Sequence, residues 1–150
     1  MSRNKPLVHA IVAATLLFAA ACAGNDAGES GPAQPGVRTV RIVALDSLKF
    51  DPASVAVSSG ETVRFVVTNS GMGHHEFVLG SHEVQEMHEG QMGEGGHMGH
   101  GEALAALDLL SGQTKEATVT FEDPGEILYG CHIEGHYDAG MVGTVTVTGS

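Results

Sequence analysis

Between Val37 and Thr148 the chain is cut into short alternating segments divided by turn residues, and that spacing leaves few folds open. Glu61 to Asn69 (ETVRFVVTN) is the clearest segment. Val63, Phe65 and Val67 fall on one face of a strand there, because successive strand side chains point to opposite sides. Val37 to Leu45 (VRTVRIVAL) alternates and is rich in β-branched residues, and Thr114 to Phe121 (TKEATVTF) puts Ala117, Val119 and Phe121 on one side. Leu48 to Val57 (broken at Pro52), Glu76 to Leu79, Ile127 to Cys131 and Met141 to Thr148 complete the series. Ala103 to Leu110 reads as a short helix or an irregular strand. Ser58-Ser59-Gly60, Asn69 to Gly73, Ser111-Gly112 and Glu122 to Gly125 supply turns. Seven or eight short strands with no long helix predict an all-β domain, an antiparallel β-sandwich or small Greek-key barrel. The absence of Trp and the scarcity of Phe predict a core of Val, Leu and Ile.

One connection in this framework carries chemistry. Cys131-His132-Ile133-Glu134-Gly135-His136-Tyr137-Asp138-Ala139-Gly140-Met141 holds a thiol, an imidazole five residues on and a thioether five residues beyond. Such soft and borderline donors select copper over magnesium or calcium. Two His and one Cys with a weak axial Met form the ligand set of blue (type 1) copper centres. The second imidazole must come from elsewhere, and His75 is available. Cys131 would end one strand and Met141 begin the next, with Gly135 and Gly140 permitting a tight path between them.

The N-terminus reads as an export signal. Arg3 and Lys5 precede an apolar run, Ala10 to Ala21, that is too short to span a bilayer. Ala19-Ala20-Ala21 before Cys22 resembles a bacterial lipoprotein processing site, with Ala19 where that family usually has Leu. The resemblance implies a signal peptide over 1–21 and lipidation of Cys22; ordinary cleavage near Ala21 is the alternative. Residues 22–36 are rich in Gly, Ala, Ser and Pro and read as a flexible tether to a domain over 37–148. A lipid on Cys22 would attach the chain to a membrane without crossing it. With Cys22 modified, Cys131 is the one remaining thiol and has no disulfide partner in the chain, which favours a ligand role. The net charge is −11, and −13 once residues 1–21 are removed. That balance argues against nucleic acid and favours a basic docking patch on a redox or copper-handling partner. A monomer is expected.

Taken together, Phe50-Asp51-Pro52, Asn69-Ser70-Gly71 leading to His75-Glu76-Phe77, and Cys131 to Met141 followed by Gly143-Thr144 resemble a bacterial cupredoxin domain, the plastocyanin/azurin type, over about residues 37–148. The resemblance implies a cupredoxin-like Greek-key β-sandwich. It makes His75, Cys131 and His136 the equatorial ligands of one type 1 copper and Met141 the axial donor. It favours His75 over the adjacent His74, which then faces solvent. His132 should point away from the metal, as a structural or surface histidine, and Asn69 should order the turn before His75. The loop also resembles a multicopper oxidase segment, but Gly130 stands where that family has His. A single domain also lacks the further histidines of a trinuclear cluster.

Residues 81–101 (SHEVQEMHEGQMGEGGHMGHG) interrupt the strand pattern. His82, Met87, His88, Met92, His97, Met98 and His100 would suit a second, labile copper site in a Gly-rich chain. The plain alternative is a solvated loop. The expected function is therefore non-enzymatic electron transfer by a copper protein at the cell envelope; copper storage, tolerance or delivery through the insert is the alternative.

Overall fold

A computed structural model describes residues 36–92 and 103–149, with the backbone alone for 90–92. The signal segment, Cys22, the tether up to Pro35, and His97, Met98 and His100 of the insert lie outside the described residues. The elements run β1 (Val37–Leu45), β2 (Lys49–Asp51), β3 (Ser54–Ser58), β4 (Glu61–Asn69), β5 (His75–Gly80), α1 (His82–Met92), β6 (Ala105–Leu109), β7 (Thr114–Phe121), β8 (Gly125–Gly130) and β9 (Val142–Thr148). They form two sheets, ordered β2-β1-β4-β7 and β3-β9-β8-β5-β6.

The β-sandwich expected from the sequence is present, with three differences and one open alternative resolved. Two strand pairs, β1 with β4 and β3 with β9, are parallel, so the sheets are mixed. The segment at Pro52 splits into β2 and β3, which join opposite sheets and raise the count to nine strands among the described residues. Of the helix and strand left open for 103–110, the strand forms, over residues 105–109, paired to β5 from His75↔Leu109 to Leu79↔Ala105. The insert opens with a helix of 11 residues. Nothing in its apolar pattern announced that helix, since Val84 and Met87 are its only large apolar residues up to Glu89.

Most of the core is the expected Val, Leu and Ile, with aromatic rings added. Alternation does bury Val63, Phe65 and Val67, and Val119 and Phe121 across from them. Its centre, however, is a chain of aromatic rings. Phe121 meets Phe65 at 6.1 Å, Phe65 meets Phe77 at 5.7 Å, and Phe77 meets Tyr129 at 5.3 Å. Phe50 closes on Tyr129 at 5.4 Å. Each such ring buries a large apolar area, with about 0.5–1.5 kcal/mol more per well-placed pair. Tyr129 satisfies its hydroxyl by donating to Pro52 O at 2.7 Å, and burial pushes its phenol up to about 12. Gly143 is required beside it, because a Cβ there would lie 2.2 Å from the ring.

Topology then sets the place of the chemistry. β8 pairs antiparallel with both β5 and β9. The start of β5, the end of β8 and the start of β9 therefore share one end of the sheet. His75, Cys131 and Met141 sit at those three points. His75 thus comes from the strand beside Cys131 in one sheet, and not from across the sandwich.

Candidate metal centre

The ladder between β5 and β8 stops at Val78↔Gly130. Beyond it the strands part, and Glu76 N–H donates to Cys131 Sγ at 3.2 Å. The sulfur faces His136 Nδ1 at 3.3 Å and His75 Nδ1 at 3.9 Å. One donor atom from each of these three residues lies within 4.8 Å of the others, and the two imidazole rings stand 5.1 Å apart. Cys131 and His75 are buried; His136 reaches partly to the surface.

The loop from Cys131 to Met141 is a series of turns. His136 N–H donates to Ile133 O at 2.8 Å, Ala139 N–H to Gly135 O at 3.1 Å, and Gly140 N–H to Tyr137 O at 2.8 Å. Gly135 and Gly140 take φ of 76° and 83°, the left-handed region where glycine carries no steric cost. Met141 is fully buried and closes the loop on Cys131 and His136: its N–H donates to His136 O at 3.0 Å, and its carbonyl accepts from Cys131 N–H at 3.1 Å. Lys49 Nζ donates to Gly140 O at 2.9 Å from the flank.

The turn that delivers His75 is fixed by two side chains. Asn69, fully buried, donates to Gly73 O at 2.7 Å and Leu109 O at 2.9 Å and accepts from Gly71 N–H at 2.9 Å. This is the ordering role expected of it. Asp46 accepts from Met72 and Gly73 N–H, and those bonds hold its carboxyl below the usual range. Its Oδ1 lies 3.9 Å from His75 Nε2. His74 is exposed beside Asp108, as expected. His132 does point away from the cluster, but it is 1% exposed and bonded to Gln85 and Glu89 of α1. It is a structural histidine and not a surface one.

Among the described residues, the histidines and methionines of the insert do not gather into a donor cluster. His82 is exposed beside Glu86, Met87 is exposed, and His88 Nε2 lies 3.7 Å from Glu76 Oε2. Met92 is placed by its backbone only, at the end of α1. Among the described residues, His75, Cys131 and His136 form the one cluster of three or more His, Cys, Asp or Glu donors. Sequence reasoning missed Asp46, Glu76, Gln85 and Glu89. The last two form an i, i+4 pair on one helical face, a signal that depends on a helix the apolar pattern does not announce.

Burial pushes the Cys131 thiol up, against the N–H groups of Glu76 and Ile133. Burial also holds His75 down, and His136 nearby adds to that. Metal-free, the site keeps a protonated thiol beside a neutral imidazole. One thiol and two inward-facing Nδ1 atoms, with no carboxylate among them, fit a soft or borderline metal and not a hard one.

Residues 38–148 match the family described as copper binding proteins, plastocyanin/azurin family. The chain belongs to that family. It is a bacterial-type cupredoxin domain, and copper is the metal its donor set suits. It is 41% identical to the copper-resistant cuproprotein CopI of Rubrivivax gelatinosus, over 80% of this chain and 72% of that one. It is 31% identical to the CopI of Pseudomonas aeruginosa over 98% of this chain and 99% of that one. The fold is similar to auracyanin A, a "blue" copper protein of Chloroflexus aurantiacus, with a TM-score of 0.65 at 25% identity, covering 75% of this chain and all of that one.

Proposed function

We propose that His75, Cys131 and His136 are the equatorial ligands of a type 1 copper, that Met141 is the axial donor, and that the protein serves copper tolerance at the cell envelope. The convergence of the three donors on a framework already closed by backbone hydrogen bonds carries the ligand assignment. Copper held by such a set supplies reversible one-electron chemistry. The chain's part is to keep the donors in place. The aromatic chain under β5 and β8, the Asn69 and Asp46 turn, and the glycine-bearing loop oppose movement when the charge at the site changes. Cys131 gives up its proton on binding, and His136 alone of the ligands reaches toward solvent.

Two related proteins named as copper-resistant cuproproteins support the tolerance reading. We take the role to be non-enzymatic, the chain to be exported, and Cys22 to be lipidated. Deletion of the gene in its host should lower the copper concentration that stops growth, with restoration by wild type and not by Cys131→Ser. Growth unaffected by deletion would remove the tolerance role. Radiolabelled palmitate entering wild type but not Cys22→Ala would support the anchor.

Electron transfer between envelope partners is the second reading. The partly exposed His136 beside two buried ligands favours it, as does an acidic chain suited to a basic partner patch. Electron exchange with basic redox proteins that slows steeply with salt would support it.

A further inference from the structure

The insert that interrupts β5 and β6 begins with a helix that is almost polar, yet that helix is tightly held. Val84 is its one apolar anchor, meeting Gly80 where a Cβ would approach to 2.6 Å. Polar residues make the rest of the attachment: His88 packs its ring on that of His132 at 4.8 Å, and Gln85 is fully buried. Its Nε2 donates to Val78 O of β5 at 3.0 Å and to Leu128 O of β8 at 3.2 Å. That leaves Oε1 facing His132 Nε2 at 2.8 Å. One turn further on, Glu89 takes the other ring nitrogen, Nδ1, at 2.6 Å. The ring of Tyr137, from the loop that carries His136, stacks on His132 at 4.7 Å and 15°. Gly130 makes room for this assembly: a Cβ there would lie 2.7 Å from both Gln85 Oε1 and the Tyr137 ring.

His132 is bonded at both nitrogens and covered on its face, and it is the residue next to Cys131. Adjacent residues of an extended chain point to opposite sides, so the lock on His132 also limits rotation of Cys131 on the other side. We propose that Gln85 is a positioning residue of the copper centre. Acting with Glu89 through His132, it holds the Cys131 sulfur in register with His75 and His136, and so makes the first helix of the His/Met-rich insert a mechanical part of the site. A buried glutamine left without partners costs about 1–3 kcal/mol. A helix with so small an apolar face is held in orientation by these directed bonds more than by burial. The inference rests on the ligand assignment above.

The test compares copper-loaded full-length wild type with Gln85→Leu, Glu89→Ala and Glu89→Gln. Thiolate-to-copper bands report the orientation of sulfur to metal, which a residue that only stabilises the fold would not move. In Gln85→Leu and Glu89→Ala the relative intensities of the visible bands and the EPR copper hyperfine splitting should change. Copper loss to a chelator should quicken by roughly tenfold or more, the scale for residues that orient metal ligands. Glu89→Gln, which keeps a hydrogen-bonding group beside Nδ1, should restore the wild-type spectrum. Should Gln85→Leu fail to fold, Glu89→Ala gives the same readout from the partly exposed edge of the helix, where Glu89 is 33% exposed. Wild-type spectra and copper loss in the altered chains, with only a lower unfolding temperature, would overturn the proposal. A wild-type chain with no such band would overturn the ligand assignment, and this inference with it.

Discussion

The backbone N–H of Glu76 donates to the sulfur of Cys131 at 3.2 Å, at the point where the β5–β8 ladder ends. A strand that would otherwise continue pairing turns its next donor to the sulfur of the donor cluster. Together with the Ile133 N–H, this bond favours a thiolate in a place where burial favours the thiol. Burial prevails in the metal-free chain, and copper has to displace the proton. His75, held below its ordinary value, needs no such displacement near neutrality. Affinity should therefore rise with pH through the neutral range, by about tenfold per unit for one proton released. Competition titrations from mildly acidic to mildly basic buffer measure this, and a flat profile would contradict it.

The turn before His75 should be sensitive to Asp46. The Met72 and Gly73 N–H groups hold its carboxyl below the ordinary range, so its contribution is present above that range and fades as pH falls through the lowered value. Asp46→Ala should lose copper faster than wild type at neutral pH and lose its excess over wild type in acid. Stopped-flow transfer to a chelator at several pH values gives the comparison.

The aromatic pair beneath the site should carry stability. Phe77 lies two residues from His75, Tyr129 two residues from Cys131, and their rings meet at 5.3 Å. Phe77→Ala should destabilise the metal-free domain by about 3–5 kcal/mol in chemical denaturation, as for other buried aromatics. A loss under 1 kcal/mol would mean the ligand strands are held by the ladders alone.

The Asn69 side chain makes three hydrogen bonds from a fully buried position. Asn69→Ala would strand buried backbone groups at about 1–3 kcal/mol each and free the His75 turn. Lower stability should therefore come with faster copper loss. Lower stability with unchanged copper retention would place Asn69 in the fold and not in the site.

A storage role for the insert can be tested without damaging the centre. Removing residues 81–101 takes Gln85 and Glu89 away and so disturbs the bonds to His132. Removing only residues 93–102 leaves α1 intact. Under the storage reading this shorter deletion lowers the bound copper toward one per chain; an unchanged ratio of one would end that reading.

Much of this was readable in the sequence because alternation and ligand spacing are local signals. Val63, Phe65 and Val67 point inward as their spacing requires, and Cys131, His136 and Gly140 fall on a loop whose glycines take the conformations that only glycine tolerates easily. What stayed hidden depends on distant partners. Two parallel strand pairs cannot be inferred from patterns that look the same in either direction. The aromatic chain inside the aliphatic core escaped a reading by composition, because composition does not show that a few rings meet one another. The helix of the insert is polar and is held by hydrogen bonds to His132, which no periodicity announces.

The proposed site makes Cys131 a thiolate ligand to copper beside His75 and His136. The most direct measurement is the visible absorption and EPR spectrum of the copper-loaded mature chain, set beside Cys131→Ser. The proposed site requires an intense thiolate-to-copper band with a reversible one-electron bleach in wild type, and its loss in Cys131→Ser. A colourless copper complex, or a band that survives removal of the thiol, would contradict it.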